Sequence, residues 1–104
     1  MKNVRFDPLA EHELAGAVGY YDDKGPGLGD GLLTEVSTAL HQLSGAPFSC
    51  PVVYGELRRK PLFRFPYSFI YRIVNHEVQI VAVMHRRRGP VYVAERLRGV
   101  DSDG

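Results

Sequence analysis

The residues best able to do chemistry in this chain crowd into its second half. Arg58, Arg59, Lys60 and Arg64 stand close together and Arg72 follows; His85 then adjoins three consecutive arginines, Arg86, Arg87 and Arg88, with Tyr92 just beyond. Guanidinium groups hold phosphates and carboxylates by charge-assisted, often paired hydrogen bonds. A histidine and a tyrosine beside them supply proton transfer. The same set, without any reaction, makes an electrostatic footprint for nucleic acid or for an acidic protein surface. Plainer readings stand beside these: a strand-end surface histidine for His85, and a buried ring with a solvated hydroxyl for Tyr92. Tyr67, Phe69 and Tyr71 alternate along one strand face and read as core rather than as a base-stacking platform. His12 and His41 sit on helices facing solvent, and Cys50 has no partner that would make it catalytic.

The charge is unevenly spread. Residues 1–57 carry three basic against eight acidic side chains, a net of −5. Residues 58–98 carry ten basic against two acidic, a net of +8, and residues 99–104 add −2, so the whole chain is only +1. Such polarity predicts that the second half meets something anionic. The alternative is mutual neutralisation of the two halves across the fold, which does not call for three arginines in a row.

The elements that must position these groups follow from period and punctuation. Val4 and Phe6 alternate as a short strand. Asp7-Pro8 marks a helix start, with Asp as cap and Pro at the first helical position, and Glu11 and Glu13 favour the positive pole of the dipole. Ala10, Leu14, Ala17, Val18 and Tyr21 form one helical face, which Gly25-Pro26-Gly27 terminates. Leu32, Val36, Leu40 and Leu43 form the stripe of a second helix, with Gly45 just past its end. The two helices make an antiparallel hairpin. Residues 45–55, with Pro47 and Pro51, read as an irregular connection.

Leu57 to Phe63 then reads as a strand that Pro61 keeps at an edge or ends early. Tyr67 to Val74 is a second strand, Asn75-His76-Glu77 a turn, and Val78 to Met84 an apolar central strand covered on both faces. Gly89-Pro90 breaks the pattern; Val91 to Leu97 is a short helix or an extended cap. The predicted fold is α+β, an N-terminal strand and two-helix hairpin packed on a small, mainly antiparallel sheet in the order β-α-α-β-β-β, with a short C-terminal segment. Residues 1–98 form a single domain and 99–104 a disordered tail.

Composition excludes several classes. One cysteine allows no internal disulfide, and four scattered histidines without a CxxC pair argue against a metal site. No stretch approaches the roughly 20 apolar residues that span a bilayer, and Met1 to Pro8 lack the apolar core of a secretory signal. A cytoplasmic protein without cofactor or membrane contact is expected.

Taken together, the pieces resemble the RelE/ParE family of toxins from type II toxin–antitoxin systems, over about residues 3–98. The likeness rests on Val4-Arg5-Phe6-Asp7-Pro8 with Glu13-Leu14 and Ala17, Tyr20-Tyr21, Leu28-Gly29, Glu35-Val36 and Leu40. It continues through Arg64-Phe65-Pro66-Tyr67, Ile70-Tyr71-Arg72, Ile80, Ala82-Val83, His85, Arg87-Arg88, Pro90 and Tyr92. The resemblance implies the same fold, inhibition of bacterial growth, a role in plasmid stabilisation and a cognate antitoxin. Antitoxins of this family fold as they bind, and an acidic, partly disordered one would answer the +8 of residues 58–98. Two surfaces suit it: the outer side of the helical hairpin, or an open sheet edge at the strand bearing Pro61.

The family divides by target. RelE-like members cut messenger RNA on the ribosome without metal; ParE-like members poison DNA gyrase. The RNA cutters place an arginine inside the central Tyr-x-x-x-Tyr strand, where this chain has Ser68 between Tyr67 and Tyr71. Under that reading His85, Arg86 and Tyr92 are the catalytic candidates. The Arg-Phe-Pro-Tyr turn and the His-x-Arg-Arg-x-Pro-x-Tyr ending look more like the ParE side, with Arg58, Arg59, Lys60, Arg64, Arg72, Arg86, Arg87 and Arg88 as target-binding residues. A third reading is a non-toxic nucleic-acid-binding module using the same basic face.

Overall fold

In the computed structural model, which describes residues 2–103 (the side chains of 90, 97 and 99–103 excepted), Val4 and Phe6 flank Arg5 in a three-residue strand, β1 (Val4–Phe6). Pro8 opens α1 (Pro8–Lys24) at the position where a missing N–H costs nothing. Asp7 is extended, as an N-cap should be, yet its side chain makes no cap bond; its carboxylate accepts from the Gln79 amide instead. Gly27, in the left-handed region at φ 78°, turns the chain into α2 (Leu28–Gly45); Gly45, expected just past the helix end, is its last residue, and Ala46 is the C-cap. With glycine at its N-cap, α2 borrows a cap from the neighbouring helix: Asp22 of α1 accepts the Gly29 N–H at 3.1 Å. A Cβ on Gly29 would lie 2.1 Å from that carboxylate oxygen, so a larger residue there would push the Asp22 carboxylate out of its capping position.

The second half forms β2 (Val52–Tyr54), β3 (Leu57–Pro61), β4 (Tyr67–Val74), β5 (Glu77–His85) and a final helix, α3 (Pro90–Asp103). The sheet order is β1-β5-β4-β3-β2, with β1 parallel to β5 and every other pair antiparallel. The stretch expected to be irregular thus contains a strand. Between Pro51 and Gly55 there is room for three residues only, all exposed, too few to show a period. β2 and not β3 is the outer strand, although it pairs only with Leu57 and Arg58, and Pro61 lies beyond its reach.

Asn75 (φ 52°) and His76 (φ 66°) both adopt left-handed conformations, as the tight turn between β4 and β5 demands. Pro90 starts a helix, so the segment 91–97 is helical and not an extended cap. The backbone continues as helix across residues 99–103, where the sequence predicts a disordered tail; a helix once nucleated gains one hydrogen bond per added residue.

Each face of the sheet has its own core. Leu32, Val36, Ala39 and Leu43 of α2 and Ala10 and Ala17 of α1 pack on Phe69, Tyr71, Val78, Ile80 and Val83. Burial of each large side chain contributes about 1.5–3 kcal/mol. Leu57, Ile70, Val81, Ala82 and Met84 fill the opposite face, under Val93 of α3. Strand β5 serves both by the ordinary alternation of its side chains, and a bulge puts the neighbours Val81 and Ala82 in the same core. Ile70 pairs with Ala82 but Tyr71 pairs with Ile80, so Val81 is the extra residue. No helix among the described residues is long and apolar enough to cross a membrane.

Candidate functional site

Three of the eight predicted target-binding residues converge. Arg59 of β3 and Arg86 and Arg88 of the turn after β5 line a groove of about 170 Å³ on the α3 side of the sheet, with Ser68, Ile70 and Met84 among its other walls. Strand register explains the meeting. Arg59 pairs with Ile70 and Tyr67 with His85, which brings the far ends of β3 and β5 to either side of β4. The Arg86 N–H also donates to the Pro66 carbonyl at 2.8 Å, tying the arginine turn to the loop between β3 and β4. Ser68 is buried, and its hydroxyl accepts from Arg59 Nε at 3.0 Å, which aims that guanidinium across the groove. Arg86, Arg87 and Arg88 are all exposed. Chemically, the groove can grip an anionic group.

The remaining basic residues are placed otherwise. Arg58 donates to the Cys50 carbonyl at 2.6 Å and to the Phe48 carbonyl at 3.3 Å, and stacks on the Phe48 ring; it pins the segment before β2. Arg72 bonds Gln79 at 2.8 Å and Glu56 at 3.3 Å within the sheet. Lys60 pairs with Phe69 in β3, one residue along from Arg59 and so on the opposite side of the strand. Arg64 sits exposed in the β3–β4 loop, at the same end of the sheet as the arginine turn. The expected set is thereby divided: Arg59, Arg86 and Arg88 meet, Arg87 is exposed in the same turn, Lys60 and Arg64 lie toward the α2 side, with the Arg64 guanidinium over the Phe65 ring, and Arg58 and Arg72 hold the fold.

The three catalytic candidates do not come together on the groove. Arg86 lines it, whereas His85 and Tyr92 are not among its walls. The His85 ring lies edge-on to Tyr67 at 5.4 Å, and its Nδ1 accepts the Arg87 N–H at 3.1 Å. Tyr92 is engaged on several sides. Its hydroxyl donates to Glu13 Oε2 and accepts from Arg96 at 2.8 Å, while the Arg88 and Arg96 guanidiniums lie 4.5 and 5.3 Å from its ring centre. Burial, and then the carboxylate of Glu13, push the Tyr92 hydroxyl above the usual tyrosine range.

Glu13 and Arg96 escaped the sequence reading. Glu13 looks like a carboxylate favouring a helix N-terminus, yet it accepts the Val83 N–H and Arg96 Nη1, each at 3.0 Å, while Arg96 also donates to the Val81 carbonyl at 2.7 Å. Strand β1 pairs with β5 only as far as Ile80, so these side chains satisfy the backbone of β5 beyond it. Burial alone would raise the Glu13 pKa; the bonds from Arg96, Tyr92 and Val83 outweigh it and hold the group below the ordinary carboxylate value. The available signal was the spacing of Tyr92 and Arg96, one helical turn apart, visible once 91–97 is known to be helical.

Comparison with known proteins adds the following. Residues 4–90 match the family model described as "ParE toxin of type II toxin-antitoxin system, parDE". Among solved structures, the chain is similar to one described as a chromosomal ParDE TA system from P. aeruginosa, with a TM-score of 0.72 and 19% identity, covering 82% of this chain and 96% of that one. At this identity the likeness speaks for the fold. No curated protein matches the sequence.

Proposed function

Because this chain belongs to the ParE toxin family of type II toxin–antitoxin systems, we propose that it stops bacterial growth by binding and poisoning DNA gyrase, using the arginine-rich end of its sheet. The observation that carries this reading is the basic groove itself. Arg59, Arg86 and Arg88 line it together, while the Tyr92 hydroxyl is engaged by Glu13 and Arg96. Ser68, where RNA-cutting relatives carry an arginine, gives its hydroxyl to orienting Arg59. Clustered guanidiniums that need not do proton transfer suit recognition of an acidic protein surface. A cognate antitoxin, implied by the family, neutralises the toxin by covering the outer side of the helical hairpin, where Leu9, Tyr20 and Leu33 are exposed, or by pairing with the edge at β2, where Val52, Val53 and Tyr54 are.

The test is direct. Induction of the protein should arrest replication, trigger the DNA-damage response and give filamentous cells with messages intact, and purified protein should inhibit gyrase supercoiling. Rapid cleavage of messages on ribosomes, before any effect on DNA, would overturn the proposal in favour of a RelE-like endoribonuclease. Absence of any growth effect, with binding to nucleic acid retained, would favour a non-toxic binding module.

A further inference from the structure

The loop between β3 and β4 carries Phe63 at its tip. At 87% exposure it is the most exposed of the described large apolar side chains, beyond Val91 at 71% and Phe48 at 64%. Single exposed hydrophobics are ordinary on protein surfaces. This one is set apart by how firmly its backbone is held.

Both carboxylate oxygens of Glu35, on α2, are spent on the loop: Oε2 accepts the Phe63 N–H and Oε1 the Arg64 N–H at 3.0 Å. On one side Leu62 is buried, with its N–H on the Tyr67 carbonyl at 2.9 Å. On the other side Phe65 is buried against Tyr21, ring centres 4.9 Å apart, and its carbonyl accepts the Tyr67 N–H at 2.8 Å. Every residue from 62 to 65 is thus fixed by a buried side chain or a backbone bond, and the one large apolar group left pointing outward is Phe63. An aromatic side chain on a backbone ordered in advance gives up little entropy on binding, which is the condition for an interface anchor.

We propose that Phe63 is the anchor by which this protein seats on its target, inserting into an apolar pocket of an acidic protein surface, with Glu35 as the residue that positions it. The inference rests on the reading that the target is a protein. Charge on the page identifies the partner's chemistry. Arg64 adjoins Phe63 in sequence, and the turn of Arg86, Arg87 and Arg88 is bonded to this loop through Pro66, so exposed basic residues share the loop and the turn tied to it and call for carboxylates opposite.

The experiment compares purified wild-type protein with Phe63→Ala, Phe63→Leu, Glu35→Ala and the Phe63→Ala/Glu35→Ala double variant. The readouts are inhibition of gyrase supercoiling, binding to gyrase, binding to duplex DNA alone, and capture by the antitoxin encoded beside the gene. Phe63→Ala should raise the half-inhibitory concentration by about 30-fold or more, the scale of a hot-spot residue, with an unchanged melting temperature and unchanged antitoxin capture. Phe63→Leu should retain part of the potency. Glu35→Ala should weaken inhibition in the wild-type background and add little to Phe63→Ala, because its effect passes through that side chain. Equal potency of Phe63→Ala and wild type would overturn the proposal while leaving the gyrase reading intact. Loss of antitoxin capture, or loss of DNA binding without gyrase, would overturn it by giving the tip to a different partner. If wild-type protein itself leaves gyrase untouched, the underlying reading is what fails.

Discussion

Replacing Glu13 with alanine should be among the most damaging single changes outside the apolar cores. The variant leaves the Arg96 guanidinium, whose side chain is 12% exposed, without its carboxylate, and strips the Val83 N–H and the Tyr92 hydroxyl of an acceptor. Removing one partner of a buried ion pair costs about 3–5 kcal/mol. Glu13 retains 21% exposure, so water partly relieves the orphaned groups and the lower end, about 3 kcal/mol, is expected. For a domain near this size that corresponds to a fall in Tm of roughly 12–20 °C. Urea titration followed by circular dichroism gives the free energy, provided the m-value stays constant. Replacing both partners with uncharged residues, Glu13→Gln with Arg96→Met, should cost at least about 1 kcal/mol less than the sum of the single variants. The folded-state pKa of Glu13 is lowered, so its contribution is complete above the ordinary carboxylate range and is lost as pH falls through the folded value. Wild type should therefore lose more stability than Glu13→Gln on acidification below about pH 4.5. A Glu13→Ala loss under about 1 kcal/mol, or additivity within about 0.5 kcal/mol, would refute the reasoning.

Three further outcomes are expected. Replacing Arg86, Arg87 and Arg88 together with alanine should abolish growth inhibition while stability changes by about 1 kcal/mol or less, since the exposed cluster gives the fold little beyond the Arg88 contact with Tyr92; growth curves and thermal melts of the same variant decide it. Tyr92→Phe should cost roughly 1 kcal/mol of stability for the lost hydroxyl yet leave inhibition in place, and loss of inhibition with a normal melt would return Tyr92 to a catalytic role. His76→Gly should stabilise the protein by about 1 kcal/mol, because glycine holds φ 66° without the crowding a Cβ meets there; a fall in denaturation midpoint would contradict the turn assignment.

What the sequence disclosed and what it hid divide along physical lines. Val4-Phe6, Asp7-Pro8 and the stripe Leu32-Val36-Leu43 announce their elements because each repeats a period or carries punctuation that only one structure uses. Val52-Val53-Tyr54 hides because three residues between Pro51 and Gly55 are too short to show alternation. Gly89-Pro90 reads as a break, but proline at a first helical position is also how helices begin. Val81 conceals a bulge inside an unbroken apolar run, where no polar residue marks the change of side. At the site, sequence supplies charge but not its partner. Arg58 and Arg72 look like Arg59 and Arg88 until the Cys50 carbonyl and the Gln79 amide are seen to hold them. Glu13 and Glu35 were undervalued for the same reason: both accept backbone N–H groups from residues far along the chain, at Val83, Phe63 and Arg64.

The parallel pairing of Val4 with Val78 has a consequence for synthesis on the ribosome. The first strand emerges early but has nowhere to dock until β5, the last strand to be translated, has cleared the exit tunnel. β5 also contributes side chains to both faces, so both cores wait on the same segment. A nascent chain or a prematurely terminated one therefore lacks the sheet end that carries the arginine turn, and a cell translating this message meets the finished surface only upon completion. Pairing across such a long stretch of sequence is also intrinsically slow, which delays the finished surface further.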